Sequence, residues 1–174
     1  KPGADPKALI DRSDAIEEAV SAVLNSEAEN DPFNRLVPEA GLSAREANWL
    51  RAFYRYLRQA GMGFTTYTVV DALAAAPDVT RALIALFTAR HDPEFGTGRD
   101  KAVADARAAI QRRLAKPTAP HDARPLRLYN SLIDAILRTN AFAPAAAASL
   151  ALQINSAKVP NLPKPIPYPE IIVH

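Results

Sequence analysis

The spacing of apolar residues changes once along this chain, near Pro144, and that change limits it to a set of helices followed by a short extended tail. Before Pro144, apolar residues return every three or four positions, the repeat that gives a helix one buried side. After it, Ser149-Leu150-Ala151-Leu152-Gln153-Ile154 alternates with period two, as a half-buried strand does. Prolines at 160, 163, 165, 167 and 169 then forbid helix and favour an extended connector, because each ring fixes φ and removes an amide donor. Glu170 to Val173 reads as a second short strand.

The helical part divides at its breakers. Ile10, Ile16, Ala19, Val20, Val23 and Leu24 share one face, which predicts a first helix over Pro6 to Asn25. A polar loop from Ser26 to Pro32 follows, and Phe33, Leu36 and Val37 suit a short helical turn. Ser43-Ala44-Arg45-Glu46 is a capping box, in which serine and glutamate satisfy each other's free helix amides. The helix it opens carries Trp49, Leu50, Phe53, Tyr54 and Leu57 and stops at Gly61, a residue suited to the left-handed C′ position. Val69, Val70 and Leu73 mark the next helix. Pro77 opens another through Val79, Leu83, Leu86 and Phe87.

Asp92-Pro93 and Gly96-Thr97-Gly98 break the chain before an alanine-rich helix with Val103, Ala106, Ile110 and Leu114, whose narrow stripe places it on the outside. After a loop from Lys116 to Arg124, Pro125 begins an apolar helix through Leu128, Leu132, Ile133, Ile136 and Leu137, ending near Thr139-Asn140. The expected fold is mainly α: an irregular bundle of about six helices with a short C-terminal β-strand pair. The expected division is a helical domain over 1–145 and, over 146–174, a strand, proline-rich connector and strand leading into a larger sheet.

Composition narrows the partners. A chain of 174 residues with 48% hydrophobic and 23% charged residues can bury a core. Twenty-one basic against nineteen acidic residues give a net charge of +2, too little for the concentrated basic stripe of a nucleic-acid binder. Cysteine is absent, which excludes disulfides and thiolate chemistry and fits a cytoplasmic protein. No apolar run approaches the ~20 residues a membrane helix needs. The start at Lys1-Pro2-Gly3 and the abrupt end are those expected of a segment of a larger protein.

Chemistry-bearing patterns are sparse. The close glycine pairs Gly61-Met62-Gly63 and Gly96-Thr97-Gly98 do not follow strands, so they read as turns and not as pyrophosphate loops. Lys101, Lys116, Lys158 and Lys164 occupy positions where solvation is expected. His91, His121 and His174 lack metal-ligand spacing. His91 suits a helix C-terminus, where positive charge is favourable, and His121 a solvated loop. Glu27, Glu29 and Asp31 resemble a calcium loop without its turn glycine or terminal glutamate.

Arg45, Arg51, Arg55 and Arg58 along one helix, with the Gly61 turn after it, have the outline of a helix-turn-helix. Their interleaving with Trp49, Phe53 and Tyr54 fits a solvated or inter-domain face of an amphipathic helix. No catalytic, cofactor-binding or metal-ligating residue is assigned.

Two stretches carry a likeness. The first is Glu29-Asn30-Asp31-Pro32-Phe33-Asn34-Arg35-Leu36-Val37, resumed as Gly41-Leu42-Ser43-Ala44-Arg45-Glu46 and as Leu50 to Gly61. The second is Leu137-Arg138-Thr139-Asn140-Ala141-Phe142, then Ser149-Leu150, then Lys158-Val159-Pro160-Asn161-Leu162-Pro163-Lys164-Pro165 through to Glu170-Ile171. Leu83 to Pro93 links them. In this order and spacing they resemble the large NAD-dependent glutamate dehydrogenases of bacteria, from about Glu29 onward.

The resemblance implies a helical region that follows amino-terminal regulatory domains and enters a catalytic core, itself a non-catalytic structural and regulatory element. It implies a parent enzyme that converts L-glutamate to 2-oxoglutarate and ammonia with NAD as hydride acceptor. Its reacting lysine, acid and dinucleotide fold are expected outside this segment, so this segment itself is expected to bind no cofactor. The expected partners are other domains of the same polypeptide and further copies in a homo-oligomer, with neither nucleic acid nor membrane. The competing reading is a stand-alone helical module that binds protein or nucleic acid. A third, an independent enzyme on a helical fold, has no convergent set of polar groups behind it.

Overall fold

The computed structural model describes residues 13–25, 29–115, 123–144, 149–166 and 168–174. Ile10, Glu27, Lys116, His121 and Pro167, named above, lie outside them, as does the start of the first expected helix.

Seven α-helices and three strands are present among the described residues. The helices are α1 (Ser13–Leu24), α2 (Leu36–Ala40), α3 (Ala44–Gln59), α4 (Thr66–Ala74), α5 (Pro77–His91), α6 (Arg99–Leu114) and α7 (Arg124–Ala135). A 3₁₀ turn, Pro32–Arg35, precedes α2. The strands are β1 (Ile136–Thr139), β2 (Ala151–Ile154) and β3 (Glu170–Val173).

Local chemistry fixes the ends of α3 as its sequence requires. The Ser43 hydroxyl accepts from the Glu46 amide while the Glu46 carboxylate accepts from the Ser43 amide at 2.7 Å. At the other end the Met62 amide donates to the Leu57 carbonyl at 2.9 Å and the Gly61 amide to that of Arg58 at 3.1 Å. This double closure needs a left-handed residue, and Gly61 has φ +90°. Thr65 caps α4 through the Thr68 amide. Pro77 stands in the first turn of α5, where its missing donor costs nothing.

The core forms around α3 and α5. Trp49 and Phe53 each meet Phe87 edge-on with ring centres 5.1 Å apart, and Phe142 closes over Trp49 at 5.3 Å. Tyr129 on α7 is fully buried and donates to the Leu50 carbonyl at 2.9 Å, so its polar end is satisfied. Helix α6 lies along α5 and buries only Ala106, Ile110 and Leu114, the outer position its narrow stripe indicated. Helix α1 uses half of its stripe: Ile16 and Val23 are half-buried, while Val20 and Leu24 are exposed.

One element differs from the sequence reading. The last helix stops at Ala135, and Ile136, with φ −65° and ψ 124°, turns into β1. Two causes are visible. Strand β2 offers antiparallel partners, with Ile136 opposite Ile154 and Thr139 opposite Leu152, where β-branched side chains are well accommodated. Arg90 on α5 also satisfies the helix's last carbonyls, donating to Ile133 at 2.8 Å and to Asp134 at 3.3 Å. The expected strand pair is therefore a three-stranded antiparallel sheet in the order β1-β2-β3. Its inner face, with Ile136, Leu152 and Ile154 buried, joins the same core as the helices.

Candidate functional site

Where α3 meets the end of β3, polar groups from the 29–34 segment and from α3 itself converge on Arg51. Arg51 lies one residue from the core position Leu50 and is 1% exposed. Its Nε donates to Asp31 Oδ2 at 2.7 Å, and Nη2 to Asp31 Oδ1 and Asn34 Oδ1, both at 2.9 Å. Nη1 donates to Asn48 Oδ1 at 2.8 Å, and the guanidinium stands 5.8 Å from the Phe33 ring centre. A buried cation is tolerable when every donor direction is met, and the planar guanidinium suits a forked carboxylate.

The solvated face expected for Arg51 is thus corrected: Asp31, Asn34 and Asn48 supply the acceptors that water would have supplied. Asp31 also accepts from the Phe33 amide at 2.9 Å and so starts the 3₁₀ turn.

His174 completes the junction. Its Nε2 is 3.2 Å from Asn48 Oδ1 and its Nδ1 is 3.1 Å from Arg55 Nη1. Since Arg55 can only donate, Nδ1 must accept and Nε2 must carry the proton, which is the neutral ring. Burial first, and the Arg55 charge second, hold the imidazole below its ordinary value, in agreement with that tautomer. Arg55 in turn pairs with the Glu29 carboxylate.

One turn further along α3, the Tyr56 hydroxyl donates to Glu170 Oε2 at 3.0 Å, and the Ser156 hydroxyl donates to the same oxygen at 3.0 Å. Burial and the Glu170 carboxylate push the phenol up to about 12.

The other arginines are also engaged. Arg45 lies over the Trp49 and Phe142 rings and donates to the Ala141 carbonyl. Of the row Arg45, Arg51, Arg55 and Arg58, three are bound to protein groups and only Arg58 stands exposed without such a bond among the described residues. Arg90 and Arg107 converge on Asp134, at 2.8 and 2.5 Å, which ties α5 and α6 to the end of α7.

His91 is the last residue of α5, as its position suggested, but the expected positive charge is not on it. The ring lies 5.2 Å from that of Phe87, and its buried Nε2 has no partner among the described residues. Burial, then Arg90 and Arg99, push it down to about 4. The cation that meets this helix end is Arg99, which donates to the Ala89 and Asp92 carbonyls at 2.6 Å each.

The remaining sequence candidates fall apart in space. Gly61 and Gly63 lie in the turn between α3 and α4, and Gly96 and Gly98 in the turn between α5 and α6. Lys101 pairs with Asp105 in solvent, and Lys158 and Lys164 are exposed. Glu29 and Asp31 serve arginines. No group of three or more histidine or acidic residues is placed to hold a metal among the described residues. No helix among them is long and apolar enough to cross a membrane.

Sequence reasoning missed the Arg51 junction. A buried arginine breaks no periodicity, and all its acceptors but the nearby Asn48 lie 17 or more residues away. The one local signal was an unusual density of short polar acceptors, Asp31, Asn34 and Asn48, on either side of an apolar run.

Two family profiles match the chain: glutamate dehydrogenase, helical motif 3, over residues 28–93, and bacterial NAD-glutamate dehydrogenase, catalytic domain, over residues 109–174. The NAD-specific glutamate dehydrogenase of Halomonas elongata is 35% identical over 160 residues, 90% of this chain and 10% of that protein. Those of Pseudomonas aeruginosa and Mycobacterium tuberculosis are each 34% identical, over 93% and 90% of this chain and 10% of their own length. The chain spans about a tenth of the curated relatives it matches. With two successive profiles of one enzyme running through the helices and into the sheet, the chain belongs to the family of bacterial NAD-specific glutamate dehydrogenases.

Proposed function

We propose that this segment is a non-catalytic helical block of an enzyme that oxidises L-glutamate to 2-oxoglutarate and ammonia with NAD. Its work is to hold the strands that lead into the catalytic domain in a fixed orientation and to relay the state of regulatory domains to them. The nicotinamide site and the reacting groups belong to other parts of the full-length polypeptide. Residues 146–174 act as the lead into that part, supplying β2, the proline-rich connector and β3.

The observation that carries this reading is the double tie between α3 and the sheet, Arg51–Asn48–His174 and Tyr56–Glu170. It joins the helical core to β3 through directional bonds, which transmit orientation better than apolar contact does.

The test is made in the full-length enzyme with His174→Ala combined with Tyr56→Phe. NADH formation from glutamate is expected to fall, or its effector response to weaken, while NAD affinity measured by calorimetry stays the same. Unchanged turnover and effector response with both ties cut would refute the relay. No glutamate-dependent NADH from the unaltered enzyme would refute the parent activity itself.

A further inference from the structure

The two outer edges of the sheet are built differently. Edge strands expose unpaired amides and carbonyls, and proteins blunt them with bulges and charged side chains. Strand β1 carries both devices: its register slips between Ile136 and Arg138, and Arg138 is exposed. Strand β3 keeps an unbroken register, and its one charged side chain, Glu170, is tied to Tyr56 and Ser156 and is not on the outer face.

The ladder shows which groups of β3 are free. His174 and Leu150 exchange two hydrogen bonds of 2.8 Å, and the register puts Ile172 opposite Leu152 and Glu170 opposite Ile154. Pairs alternate in an antiparallel ladder, so the amides and carbonyls of Ile171 and Val173 point away from β2. The side chains at these two positions are apolar and each 69% exposed. Of the eight exposed large hydrophobic residues among those described, three lie on the sheet: Leu137 on β1, and Ile171 and Val173 on β3. Exposed apolar side chains at both outward positions of one strand mark a surface that is covered in the working protein.

We propose that the free edge of β3 pairs with a further β-strand from the catalytic part of the same full-length polypeptide. That strand carries apolar residues at alternate positions, which cover Ile171 and Val173 on the outer face. The sheet of this segment is then the beginning of a larger one, and β3 is the seam. Continuity argues for this occupant: the catalytic-domain profile runs through β1, β2 and β3 to residue 174, while about nine tenths of the relatives' length lies outside the chain. The proposal rests on reading the chain as a segment of that longer enzyme.

Hydrogen exchange resolved to single amides in the full-length enzyme tests it. The outward amides of Ile171 and Val173 are expected to exchange at least ~100-fold more slowly than free amides, as the inward amide of Ile172 does. Exchange at the free rate at 171 and 173, with Ile172 protected, would overturn the proposal. Protection that disappears when the oligomer is diluted to protomers would also overturn it, because the occupant would then be a second copy. Glutamate-dependent NADH formation by the same sample reports separately on the parent reading, so failure of one is not failure of the other.

Discussion

Replacing Arg51 by methionine keeps most of the side-chain volume and removes the charge with every bond it donates. Asp31 then loses both carboxylate contacts, of 2.7 and 2.9 Å, and the Asn34 and Asn48 amide oxygens lose theirs. Breaking a buried ion pair from one side costs about 3–5 kcal/mol, since the abandoned partner stays desolvated. The Asp31 side chain keeps 23% of its exposure and can recover some hydration, so the lower end, about 3 kcal/mol, applies.

Urea unfolding of the chain, followed through its single tryptophan, Trp49, reads this directly. With a slope of about 2 kcal/mol per molar, the midpoint moves down by roughly 1.5 M. The Arg51→Met, Asp31→Asn double-mutant cycle is expected to return a coupling of about 2 kcal/mol. Added salt leaves the loss nearly unchanged, because the pair is shielded from solvent. A midpoint shift under about 0.5 M would refute the reasoning, for the pair would then be worth no more than an exposed one.

Two other perturbations probe separate parts of the fold. His91 prefers its neutral form in the folded chain, pushed down to about 4 from an ordinary 6.5, so the unfolded chain binds more protons between those values. Its contribution is complete above pH 6.5 and falls as pH drops toward 4, by up to about 2 kcal/mol after discounting for solvent access. His91→Phe should flatten that part of the stability profile, and an unchanged acid slope would count against it. Gly61→Ala meets no closer atom than Pro163 Cδ at 3.9 Å, so its cost is backbone strain at φ +90° alone, about 1–2 kcal/mol in thermal unfolding. Gly63→Ala, in the same turn but with nothing within 4 Å and no positive φ, should stay within about 0.5 kcal/mol.

The parts that could be read from the sequence are those whose determinants are local. The capping box at Ser43 and the glycine at 61 bound α3 because both act within one turn of it. The outer position of α6 followed from a narrow stripe, Val103, Ala106, Ile110 and Leu114. Strand β1 could not be read this way: Ile136 and Leu137 continue the helical spacing of α7, and what decides against it is distant in sequence, a ladder partner 18 residues on and Arg90 at the helix's last carbonyls. The junction was hidden for a related reason. Arginine counts as polar in any periodicity, so burial at Arg51 became visible only when Asp31 and Asn34 were folded back onto α3. Yet the stretch from Glu29 to Asn34 and the one from Leu50 to Gly61 carried the family resemblance, and the junction draws most of its groups from those two runs.

A junction of this kind changes state in steps. Helix α3 is held on its core side by Trp49 and Phe53, and on its sheet side by bonds close to 3 Å to His174 and Glu170. A roll of about 20° on a helix whose side chains reach roughly 5–6 Å from its axis carries their tips about 2 Å. That is beyond what a hydrogen bond of 3 Å can follow. The aromatic core resists the same roll, because rings packed edge-on at 5.1 Å must leave one set of contacts before finding another. If the proposed relay operates, β3 is therefore expected to keep its orientation to the helices or to give up both ties together, so that a signal reaching α3 arrives at the sheet as a choice between two arrangements.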